Sequence, residues 1–347
     1  MKKAGIITLF GAYNFGNRLQ NYAVQEVLKK FKLDVETIKY LGLYDDVASE
    51  KNDIHKNRLT KFKKFNENIK FAKDIIYKEY DVPESFSDNF DYIVMGSDQI
   101  WNYTFDTIFS EKAFGSFAPK EKKISFSASF GVNHTPEKDT ELYKMCKEKI
   151  EDIRAISVRE EAGKDIIKQL TGRTDVEVLV DPTMMLSEQE WEKVMKKPEN
   201  LKTEKFIVKS FLGNSSDNSW KEICRIAEEN GCEIIDISDK NSPYYDMGPA
   251  EFLYLEKNAL LVATDSFHAC VFSILFSTPF IVFKRNDNKL ESMHSRIETL
   301  LTTFKMENRI FNGSIGEDIL ENDYTEAHRI LEKERIRVNE FLKNALV

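Results

Sequence analysis

Glycine is scarce in this chain, with 14 in 347 residues, about 4% against a usual ~7%. Each glycine beside a polar cluster therefore deserves a geometric reading. Cysteine is rarer still: Cys146, Cys224, Cys232 and Cys270 form no C-x-x-C pair. That spacing argues against a disulfide framework and a thiolate zinc site, and fits reduced thiols in a cytoplasmic protein. Positive charge is also short, at 50 Lys+Arg against 58 Asp+Glu for a net −8. A nucleic-acid partner and attachment to an anionic membrane by overall charge are both disfavoured.

Long apolar runs are missing as well. The stretch 4–10 ends at Tyr13-Asn14 with no small-residue cleavage site, so it reads as a buried first strand rather than a signal peptide. Residues 259–283 are interrupted by Asp265, His268 and Pro279, which argues against a spanning helix. No internal repeat or low-complexity tract stands out.

What is present is a soluble composition, 41% hydrophobic and 31% charged, long enough for about two domains. Short apolar runs alternate with helical patterns, the signature of α/β units on parallel sheets. Strands are expected at 4–9, 35–40, 92–95, 123–127, 155–158 and 176–180, and then at 206–211, 233–237, 260–263 and 279–283. Helices are expected at 19–30, 142–153, 160–170, 219–230, 251–258 and 267–276. Gly172 is a C-cap candidate.

Two Rossmann-like domains with a cleft between them are the natural assembly. The first would span 1–184, with a lysine-rich helical excursion at about 45–85 carrying Phe62, Phe65, Ile69, Ala72 and Ile76. The second would span 185–317. An amphipathic helix at 318–347 would pack back on the first domain, with Ile330, Leu331, Val338, Phe341 and Leu342 in its buried stripe.

Five polar clusters follow expected strands, where such folds place ligands. Gly11 to Asn21 includes Asn17, Arg18, Gln20 and Asn21 at a helix start. A capped turn and an anion or sugar contact are both open there, but a dinucleotide fingerprint is not. Gly96-Ser97-Asp98-Gln99-Ile100-Trp101 sets a polar trio beside a ring that could support a sugar, though Asp98 could equally be an N-cap. Arg159 in Ser157-Val158-Arg159-Glu160-Glu161 could hold phosphate or carboxylate through a planar fork, or simply pair with Glu160 or Glu161. Asp181-Pro182-Thr183 reads as an interdomain turn. In Thr264-Asp265-Ser266-Phe267-His268-Ala269 the histidine opens a helix beside Asp265 and Ser266. Histidine as a residue type ordinarily titrates near neutral pH, which suits proton transfer to or from a hydroxyl. No nucleophile elbow accompanies it, so a hydrolase triad is not expected.

At these five pieces, taken in order, the chain resembles the polysaccharide pyruvyl transferase family. The resemblance runs from the loop at 14–25 to 264–282, and Ala269 stands where that family commonly has glycine. It implies a glycosyltransferase-B-like (GT-B-like) arrangement of the two Rossmann-like domains. It also implies transfer of the pyruvyl unit of phosphoenolpyruvate to a sugar diol of a bacterial surface glycan or its lipid-linked precursor. The products would be a cyclic ketal and phosphate, with no metal or other cofactor. By the same match His268 is the general acid/base and Arg159 the donor-binding cation. Asn17, Arg18, Gln20, Asn21, Ser97, Asp98, Gln99, Asp265 and Ser266 are then substrate-binding. A sugar-nucleotide-dependent glycosyltransferase is the alternative, since one fold hosts many activities. The expected location is cytoplasmic, with room for peripheral contact at the inner membrane face.

Overall fold

The structure is a computed structural model. It describes residues 1–11, 13–41, 53–106, 108–213, 217–285, 295–321 and 323–347. The chain divides into two compact units. One comprises Met1–Ser49, Asn66–Leu186 and Lys333–Val347; the other comprises Glu50–Phe65 and Ser187–Glu332.

The first unit is built on seven parallel strands: β1 (Lys3–Thr8), β2 (Asp34–Leu41), β3 (Phe71–Tyr77), β4 (Tyr92–Met95), β5 (Lys123–Ala128), β6 (Ala155–Val158) and β7 (Glu177–Val178). Their order is β3-β2-β1-β4-β5-β6-β7, which extends the doubly wound 3-2-1-4-5-6 pattern. The direction of winding reverses between β1 and β4, so the crevice beyond their carboxyl ends is the expected ligand position. Helices α1 (Phe15–Lys30), α3 (Glu141–Glu151) and α4 (Glu161–Thr171) belong to this unit.

Helix α1 starts earlier than its apolar spacing suggests, because the Asn14 side chain accepts the Asn17 N–H at 3.1 Å and caps it. Helix α4 ends as expected at Gly172, with φ 75°. The strand interiors β1, β4 and β6 are almost continuously apolar and supply Ile7, Ile93, Met95, Ile156 and Val158 to one core. This is how a sheet covered on both faces reads in sequence.

The second unit holds β8 (Phe206–Ser210), β9 (Glu233–Asp236), β10 (Leu261–Thr264) and β11 (Phe280–Val282), again all parallel, in the order β11-β10-β8-β9. Here the reversal lies between β8 and β10. Helices α2 (Asp53–Phe65), α5 (Glu188–Glu192), α6 (Asp217–Asn230), α7 (Pro249–Asn258), α8 (Phe267–Phe276) and α9 (Ser295–Phe304) complete it. Ile207, Ile223, Leu261, Ala263 and Ile281 form its core.

The excursion expected at 45–85 differs in three ways. Residues 45–52 lie outside the described residues. Helix α2 ends at Phe65 and belongs to the second unit, where Arg58 donates to the Tyr245 carbonyl at 2.6 Å and Lys61 pairs with Asp246 at 3.2 Å. Residues 71–77 are not helical but form β3, the sheet edge paired with β2. An edge strand exposes polar residues such as Lys73 and Asp74, so its period-2 signal is weak. The 65-69-72-76 spacing then imitates a helix.

The terminal helix α10 (Thr325–Ala345) starts later than 318, after a short 3₁₀ turn at Glu317–Leu320. From Lys333 onward the chain belongs to the first unit. There Arg335 donates to the carbonyls of Met184 and Leu186 at 2.8 and 2.9 Å. Leu331, Val338, Phe341 and Leu342 are buried, and Ile330 is half-buried.

Candidate functional site

In the first unit the motifs meet at the β1/β4 reversal. Gly96 leaves β4 with φ +112°, and a Cβ there would lie 2.5 Å from the Phe126 carbonyl oxygen. Only glycine lets the chain turn this close to β5. The loop then presents Ser97 and Asp98, both buried.

Asp98 has φ 70°, a conformation that aspartate tolerates better than most residues. It caps no helix. Its Oδ1 accepts from Arg159 Nη2 at 2.9 Å and from the Gln99 N–H at 2.8 Å, and its Oδ2 accepts from Asn17 Nδ2. Arg159 leaves the end of β6 and extends its other terminal nitrogen to Asp181 Oδ2 at 2.9 Å. The Ser97 hydroxyl lies 2.7 Å from that same oxygen and 2.8 Å from the Ser127 carbonyl.

Asp181, expected to be part of a turn, is thus a fully engaged buried carboxylate. It also accepts the Thr183 N–H and hydroxyl at 3.0 and 2.8 Å. Its signal was an acidic residue directly following a strand on the same sheet edge as Asp98 and Arg159.

Two further expectations change here. Arg159 pairs with Asp98 and Asp181 rather than with Glu160 or Glu161. Glu160 instead accepts from the Ser129 hydroxyl at 2.8 Å and the Phe130 N–H at 2.9 Å. Burial alone would lower the Arg159 pKa, but Asp98, Asp181 and Glu160 overcome it and raise the guanidinium above its ordinary value. Trp101 is no sugar platform: it is fully buried, stacks on Phe114 at 5.4 Å and donates to the Ala113 carbonyl.

Helix α1 carries the rest of the first cluster, and much of it serves the fold. Gln20 donates to the Thr8 hydroxyl at 2.7 Å and accepts the Ser97 N–H at 3.1 Å, joining β1 to the β4 loop. Asn21 accepts from the Thr37 hydroxyl at 2.5 Å. Arg18 is buried with its guanidinium 3.6 Å from the Phe10 ring centroid, and burial pushes its pKa down to about 9, still cationic at neutral pH. Gln99 accepts from the Asn102 amide at 3.0 Å. Gly131 packs so closely that a Cβ would meet the Gln99 side-chain amide oxygen, Oε1, at 2.0 Å.

The second unit has its own constellation at the β8/β10 reversal. Asp265 follows β10 and accepts the Leu212 and Gly213 N–H groups, just beyond β8, at 2.7 and 2.9 Å. Arg285 grips it from beyond β11, with Nε on Oδ2 at 2.9 Å and Nη2 on the Asp265 carbonyl at 3.0 Å. Arg285 was not singled out in the sequence, because nothing local marks an arginine 20 residues from its partner. Ser266 is the N-cap residue of α8, without a side-chain cap bond. His268 is the second residue of that helix, 7% exposed, with its ring edge-on to Phe267 at 5.3 Å. The Arg296 guanidinium lies 5.9 Å from the Phe267 ring.

Behind α8, Glu256 of α7 is fully buried and accepts from the Ser273 hydroxyl at 3.4 Å. Burial holds its carboxyl well above the usual range. The folded chain therefore keeps a proton that the unfolded chain loses above roughly pH 4.3. Stability is full below that pH and falls as pH rises toward the folded value, by about 1.4 kcal/mol per unit. Glu256→Gln is accordingly expected to melt higher than wild type at pH 8, with the gain vanishing near pH 4.5. Thermal melts across that range measure it, and parallel curves would contradict it.

Among the described residues no group of three or more His, Cys, Asp or Glu side chains could hold a metal ion. No helix among them is long and apolar enough to cross a membrane.

These features define an α/β protein of two Rossmann-like units with polar constellations at the carboxyl edges of both sheets. Solved structures share that fold. A UDP-GlcNAc 2-epimerase from Methanocaldococcus jannaschii has 13% identity and a TM-score of 0.54, over 96% of this chain and 92% of its own. Another from Neisseria meningitidis, bound to UDP-GlcNAc, has 10% identity and a TM-score of 0.50, over 98% and 94%. A further UDP-N-acetylglucosamine 2-epimerase has 11% identity and a TM-score of 0.53, over 99% and 95%. At these identities the likeness shows a GT-B-like fold and nothing more. No curated protein matches the chain. The chain belongs to the polysaccharide pyruvyl transferase family, whose profile matches residues 14–288, and it is a transferase of that family.

Proposed function

We propose that the protein transfers the pyruvyl unit of phosphoenolpyruvate to a diol on a sugar of a surface glycan or its lipid-linked precursor. The family match over residues 14–288 carries this reading. In the reaction, carbon 3 of the enol gains a proton and carbon 2 becomes electrophilic. One sugar hydroxyl oxygen adds to carbon 2, the C–O bond to phosphate breaks, and the second hydroxyl closes the ketal. Of the two hydroxyl protons, one balances the proton gained by carbon 3 and the other leaves with phosphate.

His268 is the general acid/base. Its place in the first turn of α8, after β10, is where this fold presents residues to a ligand. Asp265, held by Leu212, Gly213 and Arg285, fixes the loop that leads into it. Arg159 takes a positioning role in place of donor binding. With Asp98 and Asp181 it forms a buried cluster of net charge −1, which repels a phosphate and a carboxylate. The second unit suits the anionic donor better, with a helix N-terminus, Ser266 and a charge-neutral Asp265–Arg285 pair.

Two measurements test this. Incubation with phosphoenolpyruvate and a galactoside or N-acetylhexosamine glycoside should release phosphate and add a pyruvate ketal visible by mass spectrometry. Phosphoenolpyruvate at 100 times its Kd should stabilise the fold by about 2.7 kcal/mol, whereas UDP should not. Protection by UDP or a UDP-sugar with none from phosphoenolpyruvate would replace this reading with a sugar-nucleotide glycosyltransferase.

A further inference from the structure

The edge of the seven-stranded sheet carries a feature that neither constellation uses. Strand β3 and the following segment to Asn89 enclose an open cavity of about 430 Å³, within the size range of small-ligand sites. It lies wholly within the first unit.

Its walls combine aromatic faces with hydrogen-bonding groups. Tyr77 and Tyr80 stand edge to face at 5.9 Å and 79°, and Phe86 also lines the cavity. Tyr80 is 58% exposed, unusual for so large a ring. Asp74, Asp81, Ser85 and Asn89 complete the polar part, and among the described residues no lysine or arginine lines the cavity.

That lining selects a ligand class. Two carboxylates with no cation among the described lining residues repel phosphates, nucleotides and phosphoenolpyruvate. A dry apolar peptide would leave those carboxylates unsatisfied. A neutral sugar satisfies both requirements, since its C–H face packs on the electron-rich ring of tyrosine and its hydroxyls donate to carboxylates.

We propose that this cavity is an accessory binding site for a neutral saccharide unit, engaging the acceptor glycan away from the reacting sugar. The proposal rests on the reading of the chain as a polysaccharide-modifying transferase. It makes Tyr80 a residue for glycan length preference, with no part in chemistry.

The test uses the full chain and an array of neutral oligosaccharides of two to six sugars, with wild type, Tyr80→Ala, Tyr80→Phe and Asp81→Asn. Wild type should bind members of the array. Tyr80→Ala should weaken that binding about tenfold, the loss expected of one aromatic face. Tyr80→Phe should retain it, because the ring remains, and Asp81→Asn should weaken it less than Tyr80→Ala. All variants should melt as wild type does, as befits exposed positions. Turnover on a monosaccharide acceptor should be unchanged, while KM for a polymeric acceptor rises in Tyr80→Ala. Failure of wild type to bind any oligosaccharide, or equal binding by wild type and Tyr80→Ala, overturns the accessory site. Absence of phosphate release from phosphoenolpyruvate with any acceptor overturns the reaction instead, so the two failures are distinguishable.

Discussion

Replacing His268 by alanine is expected to lower turnover by about 10²–10⁴-fold, the usual cost of losing one positioned acid or base. The ring is buried in the first turn of α8 against Phe267, so His268→Gln is the companion variant that keeps a polar group there. Both variants should retain phosphoenolpyruvate binding, because the helix N-terminus and the Asp265–Arg285 pair are untouched. Single-turnover phosphate release, with calorimetry for the donor, separates the two effects. Turnover near wild type in both variants would remove His268 from the mechanism.

The second large effect is expected at Arg159. Its side chain has no exposed surface and bridges two carboxylates that are 4% and 0% exposed. Removing one partner of such a buried set costs about 3–5 kcal/mol, because the remaining charges lose their compensation. Arg159→Met should therefore lower stability by that amount in denaturant titration.

Arg159→Lys keeps the charge but loses the planar fork, so its stability should fall between those of wild type and Arg159→Met. A variant that kept wild-type stability while losing only phosphoenolpyruvate affinity would instead make Arg159 a donor ligand.

Much of the molecule was legible from local pattern. Strands β4 and β6 and helix α8 have the bounds that their apolar runs suggest, because a buried parallel strand is a short continuous apolar run bounded by breakers. Gly172 announced the end of α4 through its conformational freedom. The edge strand β3 was hidden, since a strand with one open edge and a polar face has little periodicity to show. Helix α5 carried a readable signal in Ser187 and Glu190, which form a capping box.

The sequence by itself determined the α/β class, the alternation into two series, and the short polar segments that follow β1, β4, β6, β7 and β10. Those properties depend on neighbours within a few residues. The tertiary structure alone decided what each polar side chain does. Asp98, Arg159 and Asp181 are separated by 61 and 22 residues, and only the strand order makes them one buried cluster. Asp265 and Arg285 are joined across the second sheet in the same way. A charged residue's role is set by the charges facing it in a medium of low dielectric, and parallel sheets bring those charges from distant parts of the chain.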